Sequence, residues 1–117
     1  MKKENLILDK SFAFAVRIIN LFKLLCRRKE YVLSKQLLRS GTAVGALVRE
    51  SEHAQSRADF ISKLSIALKE ANEAEYWILL LYRTDYISKL EFESIVRDCR
   101  EIVRMLIAIV RTSKQSI

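Results

Sequence analysis

A chain of 117 residues is about the modal size of one domain and too short for two ordinary ones, and with half its residues hydrophobic and 30% charged it has a globular, not a disordered, composition. Pro is absent and Gly occurs twice, although average usage would give roughly six and eight, so turn-rich all-β folds are excluded in favour of a few long helices. The longest uncharged run, Ser40 to Val48, has nine residues, far below the roughly 20 that cross a bilayer.

The first helix is expected over 9–28. Asp9 or Ser11 can cap it, and Phe12, Phe14, Ala15, Ile18, Ile19, Leu21, Phe22, Leu25 and Cys26 cover about half of its wheel, more than one buried face requires. The second is expected over 31–53, with Leu33, Leu37, Ser40, Gly41, Val44 and Val48 on one face. Gly41 and Gly45 stack on one side of it. Each costs about 1 kcal/mol relative to Ala, so a close helix–helix approach is the expected reason for both.

The third helix is expected over 57–83, capped by Ser56 with Asp59 three residues on. Phe60, Leu64, Ala67, Leu68, Ala71, Ile78 and Tyr82 keep its rhythm, and Glu75 breaks it. Glu75 either snorkels or is a partly buried carboxylate paired with an arginine, for which Arg39, Arg49 and Arg57 are candidates. Ser88 and Glu91 form a capping box for a fourth helix over 88–111, whose apolar residues from Phe92 to Val110 again span a broad face; the tail from Thr112 to Ile117 is expected to fray.

Four helices joined by short links predict a single all-α domain, an antiparallel up-down-up-down four-helix bundle. The first and fourth helices look too apolar for one copy to cover, which implies self-association. Cys26 and Cys99, both on apolar faces, are expected to be reduced and buried. Met1-Lys2-Lys3-Glu4 is followed by no apolar stretch of signal-peptide length, so a cytoplasmic protein without membrane contact is expected.

Catalytic chemistry finds little to work with. His53 is the only histidine, which removes H-E-x-x-H and paired His ligands; there is no nucleophile elbow, Walker A loop or dinucleotide fingerprint. Glu70, Glu73 and Glu75 point in different directions on their helix. No catalytic residue, metal or cofactor is therefore expected. His53 reads as a solvated residue near a helix end.

Charge is more informative. Twenty-one Lys and Arg oppose fourteen Asp and Glu for a formal +7, and residues 1–30 alone carry eight basic and three acidic side chains. Such a balance suits polyanion partners, though it also suits any soluble basic protein. Arg17, Lys23, Arg27, Arg28, Lys35 and Arg39 form the candidate nucleic-acid-binding set, able to meet phosphates without reading bases. Phe12, Phe22, Phe60 and Trp77 fit packing better than base stacking. Two readings follow: an RNA- or DNA-binding scaffold, or a protein-interaction adaptor whose basicity is incidental.

The stretch Gln36 to Ala46, then Glu50, Asp59-Phe60-Ile61, Leu64 to Ala71, and Glu73, Glu75, Tyr76 and Trp77 resembles the four-helix-bundle protein family. Its members are also called intervening-sequence proteins, after reading frames inside bacterial large-subunit ribosomal RNA genes. Leu47 departs from it, since many members carry Asn there. The resemblance implies a bacterial bundle that assembles into a ring-like homo-oligomer, typically a pentamer. A related branch, the accessory protein of diversity-generating retroelements, forms basic barrels that bind nucleic acid and a reverse transcriptase. Glu50, Glu73 and Glu75 match recurring acidic positions and look structural, and the resemblance brings no catalytic residues with it.

Overall fold

A computed structural model describes residues 3–115, with side chains from residue 6 onward; Met1, Lys2, Ser116 and Ile117 lie outside it. Four helices run in order, α1 (Lys3–Arg27), α2 (Leu33–Ser51), α3 (Arg57–Arg83) and α4 (Lys89–Gln115), with no strand among the described residues. Each link is five residues long, too short to return along a helix of 19 to 27 residues, so neighbours are antiparallel. Every helix packs on its chain neighbours, α4 closes back on α1, and the diagonal pairs do not touch. The rod measures 47 × 22 × 21 Å, its length set by helices that rise about 1.5 Å per residue.

Phe14, Ile18 and Leu25 of α1, Leu37, Val44 and Val48 of α2, Leu64, Ile78 and Leu81 of α3, and Ile95, Ile102 and Leu106 of α4 fill the axis. Ala67, Ala71 and Ala74 draw α3 close to the core, and the buried Cys99 thiol donates to the Ala71 carbonyl at 3.3 Å. Burial pushes that thiol up to about 12, so it packs as a small hydrophobe. Cys26 is half-buried and also free.

The helix ends correct several expectations. α1 begins at Lys3, so neither Asp9 nor Ser11 caps it; Ser11 is buried within the helix and donates to the Leu8 carbonyl. α2 runs from Leu33 to Ser51, two residues shorter at each end than expected. α4 continues through Gln115 instead of fraying after Arg111, because Ile109 and Val110 are still buried. The expected capping devices of α3 and α4 form: Ser56 Oγ accepts from Asp59 N at 3.0 Å, and Ser88 and Glu91 exchange both bonds of a capping box.

α1 and α3 end alike. Glu30 N donates to the Leu25 carbonyl and Lys29 N to that of Cys26; Tyr86 N and Asp85 N repeat the pattern on Leu81 and Tyr82. These are Schellman closures, with Lys29 and Asp85 in the left-handed conformation (φ 66° and 68°) where glycine is usual. α2 lacks a side-chain cap at Val32. The buried Glu30 carboxylate takes that place, accepting from Leu33 N at 2.8 Å and Ser34 N at 2.7 Å, with Val32 N at 3.3 Å.

Both glycines face α1. A Cβ on Gly41 would lie 2.8 Å from Ile18 Cγ1, and one on Gly45 would lie 3.2 Å from the Ser11 carbonyl oxygen. Gly41→Ala is expected to destabilise by about 1–2 kcal/mol, since fully buried Ile18 has no room to yield and the clash outweighs the gain in helix propensity. Gly45→Ala is expected to be near neutral. Urea denaturation of the two variants gives the ranking; equal midpoints would contradict it.

Candidate nucleic-acid interface

The structure divides the six basic residues singled out in the sequence. Arg17 does not face solvent freely: its guanidinium pairs with the Asp98 carboxylate and donates to the Ser94 carbonyl and, at 2.8 Å, to Ser94 Oγ, tying α1 to α4. Arg28 is likewise spent. Its two terminal nitrogens grip the Glu91 oxygens, each at 2.8 Å, and one of them also donates to the Tyr86 carbonyl. This fork and then the Ser88 N–H hold the Glu91 carboxyl down at about 2. Arg39 lies 3.8 Å from Glu73 and stays two-thirds exposed. Lys23, Arg27 and Lys35 are exposed and enter no ion pair with a described residue.

These three lie toward the pole where α1 and α3 end and α2 and α4 begin. Lys29 and Arg83 stand at the same pole, also exposed and unpaired. Its carboxylates are mostly engaged: Glu30 caps α2, Glu91 holds Arg28, and Glu93 lies 3.9 Å from Lys89. Asp85 alone is exposed and unpaired there among the described residues. The local field is therefore strongly positive.

A second basic feature escapes a tally by segment. Arg97, Arg104 and Arg111 project from the solvent face of α4 at seven-residue intervals, about 10.5 Å apart on one line. The acidic residues of α4 are occupied elsewhere, Asp98 by Arg17 and Glu101 by Lys10 at 2.9 Å. Glu75, for its part, accepts from Arg100 Nε at 2.9 Å. The partner is thus Arg100 of α4 and not Arg39, Arg49 or Arg57, because Glu75 sits on the α4 side of α3.

Among the described residues the exposed apolar side chains that line up as a ridge lie on α1, while Ile66 and Tyr76 are exposed on α3. Phe12 is 66% exposed, and Val16 and Ile19 stand beside it, so Phe12 does not pack as the sequence implied; Phe60 and Trp77 do pack against the core. A groove of about 410 Å³ runs alongside, lined by Leu8, Phe12, Ala15, Gly45, Ala46 and Arg49. α4 is different. Its broad apolar face is covered by α3 and α1, leaving Leu90 and Ile107 as its exposed large hydrophobics. His53 is exposed in the turn after α2. No group of three or more potential ligands among the described residues could hold a metal ion, and no described helix is long and apolar enough to cross a membrane.

Geometry thus defines a bare four-helix bundle with a cationic pole and one apolar ridge. The profile of the 23S rRNA-intervening sequence protein family matches residues 3–108, and the chain belongs to that family. A crystal structure of a protein of unknown function from the S23 ribosomal protein family of Bacteroides thetaiotaomicron is 59% identical, covers 94% of this chain and 99% of its own, and superposes with a TM-score of 0.92. No curated protein matches significantly. Leu47, the departure from the resemblance, packs against the core.

Proposed function

We propose that the protein is a non-enzymatic, cytoplasmic homo-oligomeric scaffold that binds RNA or DNA backbone through its basic surface. The observation that carries this reading is the pole itself, where Lys23, Arg27, Lys29, Lys35 and Arg83 face one unpaired carboxylate among the described residues. The ridge of Phe12, Val16 and Ile19 supports self-association, since a helix face this apolar gains by being covered. A pentameric ring, the assembly that the resemblance implies, would pool five copies at +7 each into a formal +35.

Binding of a ribosomal RNA fragment is expected to be tight at 50 mM salt and to fall steeply by 200 mM, because each phosphate contact releases counterions. Replacing Lys23, Arg27 and Lys35 with Ala is expected to weaken it by about ten-fold or more and to flatten the salt slope, whereas Arg17→Ala and Arg28→Ala are expected to act through stability. Anisotropy titrations check this; no binding at low salt would end the reading. The adaptor reading would gain from a partner protein recovered after nuclease and high salt, seated on the Phe12 ridge.

A further inference from the structure

We infer that the cationic pole takes unpaired, single-stranded nucleic acid in preference to duplex, with Tyr31 and Tyr86 as stacking platforms for bases. The inference rests on the scaffold reading above and deepens it. Three features converge at this pole. Its free cations are distributed over three helix ends, Arg27 at the end of α1 with Lys29 just beyond it, Lys35 in the first turn of α2, and Arg83 at the end of α3. They complement a flexible chain of phosphates better than a straight rod.

Its two loops also present rings. Tyr31 is 54% exposed beside Val32 at 71%, and Tyr86 is partly exposed in the opposite loop. Ile87 of these short loops is buried, but Tyr31, Val32 and Tyr86, with Leu90 of the first turn of α4 at 80% exposure, are not explained by the core. The Arg28 fork ties the two loops together through the Tyr86 carbonyl and Glu91, so the rings are held on one platform instead of moving independently.

Finally, the α1–α4 groove opens onto the same pole. Leu21, Leu24, Leu90 and Ile95 give it apolar surface, Asn20 and Ser94 offer polar groups, Arg27 is its unpaired cation, and Arg17 and Glu91 line it already paired with Asp98 and Arg28. A cleft that joins apolar surface to the Asn20 amide, the Ser94 hydroxyl and the Arg27 cation suits a base with its phosphate outside. Duplex DNA or RNA keeps its bases stacked on each other and could use only the cations. Base stacking on aromatic rings is tolerant of sequence and strengthens binding of single strands alone.

The test uses the 117-residue chain and oligoadenylate probes of about 20 nucleotides, ribose and deoxyribose in separate arms to identify the sugar, against a duplex of equal length. The single strand is expected to bind several-fold tighter than the duplex at one salt concentration. A Tyr31→Ala/Tyr86→Ala double variant is expected to lose about ten-fold on the single strand and nothing on the duplex, while Tyr31→Phe/Tyr86→Phe keeps the wild-type preference. Both rings are at the surface, and the Phe variant with its unchanged melting curve separates stacking from folding. Equal affinity for duplex and single strand, unaffected by the tyrosines, would overturn the inference and leave the electrostatic reading intact. No binding of either probe at low salt would overturn both.

Discussion

Val16→Glu is expected to convert the proposed oligomer into 13.6 kDa monomers while leaving the bundle folded. Val16 is 44% exposed between Phe12 and Ile19 on α1 and lies outside the core, so the monomer loses little. In an interface the same carboxylate would be desolvated beside apolar side chains and, in a symmetric ring, would repeat at every contact. A penalty of several kcal/mol per interface follows from the cost of burying an unpaired charge. Asn20→Glu, on the polar flank of the same helix, is the control and is expected to leave the assembly intact. Circular dichroism and sedimentation on the same samples separate unfolding from dissociation; an unchanged oligomer with Val16→Glu would move the interface off this ridge.

Glu30→Ala is expected to be the most damaging single change to stability outside the core, about 2–3 kcal/mol. Its carboxylate is the cap of α2, and removing it strands the N–H groups of Leu33 and buried Ser34. Losing a cap costs about 0.5–2 kcal/mol, and a buried unsatisfied donor about 1–3. For a chain of this length the melting temperature should fall by roughly 8–12 °C at fixed protein concentration. Glu30→Gln keeps an acceptor oxygen and is expected to lose less.

Acid should act on the same pole. Burial pushes the Glu30 carboxyl up, but the Ser34 and Leu33 N–H groups and their neighbours overcome it and leave it below its ordinary value. Glu91 is held lower still, from 4.5 to about 2. Both groups have folded pKa values below their unfolded ones. Their stabilisation is therefore complete above about pH 5 and is lost as pH falls toward 2. Denaturation midpoints across that range are expected to decline, with a shallower decline in Glu91→Gln. A midpoint flat between pH 5 and 2.5 would contradict the assignment.

Periodicity made the four helices readable, because each keeps apolar residues at i, i+3 and i+4 for five turns or more. Their ends were harder. Ser11 looks like a cap, yet its hydroxyl is satisfied by the Leu8 carbonyl inside the helix. Glu30 does not look like one, since it stands three residues before α2 begins and reaches forward. Ion pairs between distant helices were invisible for a simple reason: Arg17 and Asp98 are 81 residues apart, Arg28 and Glu91 63. Whether a surface cation is free depends on such partners, which is why Arg17 and Arg28 leave the candidate set.

Other signals lay in the sequence unread. Arg97, Arg104 and Arg111 share one heptad position, but a net charge summed over residues 88–117 hides them behind carboxylates that bond elsewhere. Tyr86 falls in an expected link, whereas Tyr31, expected to open the second helix, is exposed because that helix begins only at Leu33. The breadth of an apolar face misled for α4, since a helix touching two neighbours can bury about 160° of its wheel, whereas α1 leaves Phe12, Val16 and Ile19 in solvent.

Sedimentation velocity of the chain at micromolar concentration, alone and with a labelled ribosomal RNA fragment, tests most directly that copies assemble and share their charge. The account predicts a species several times 13.6 kDa that carries the RNA with it at 50 mM salt and releases it at 500 mM. A 13.6 kDa monomer sedimenting apart from the RNA at the lower salt would contradict it.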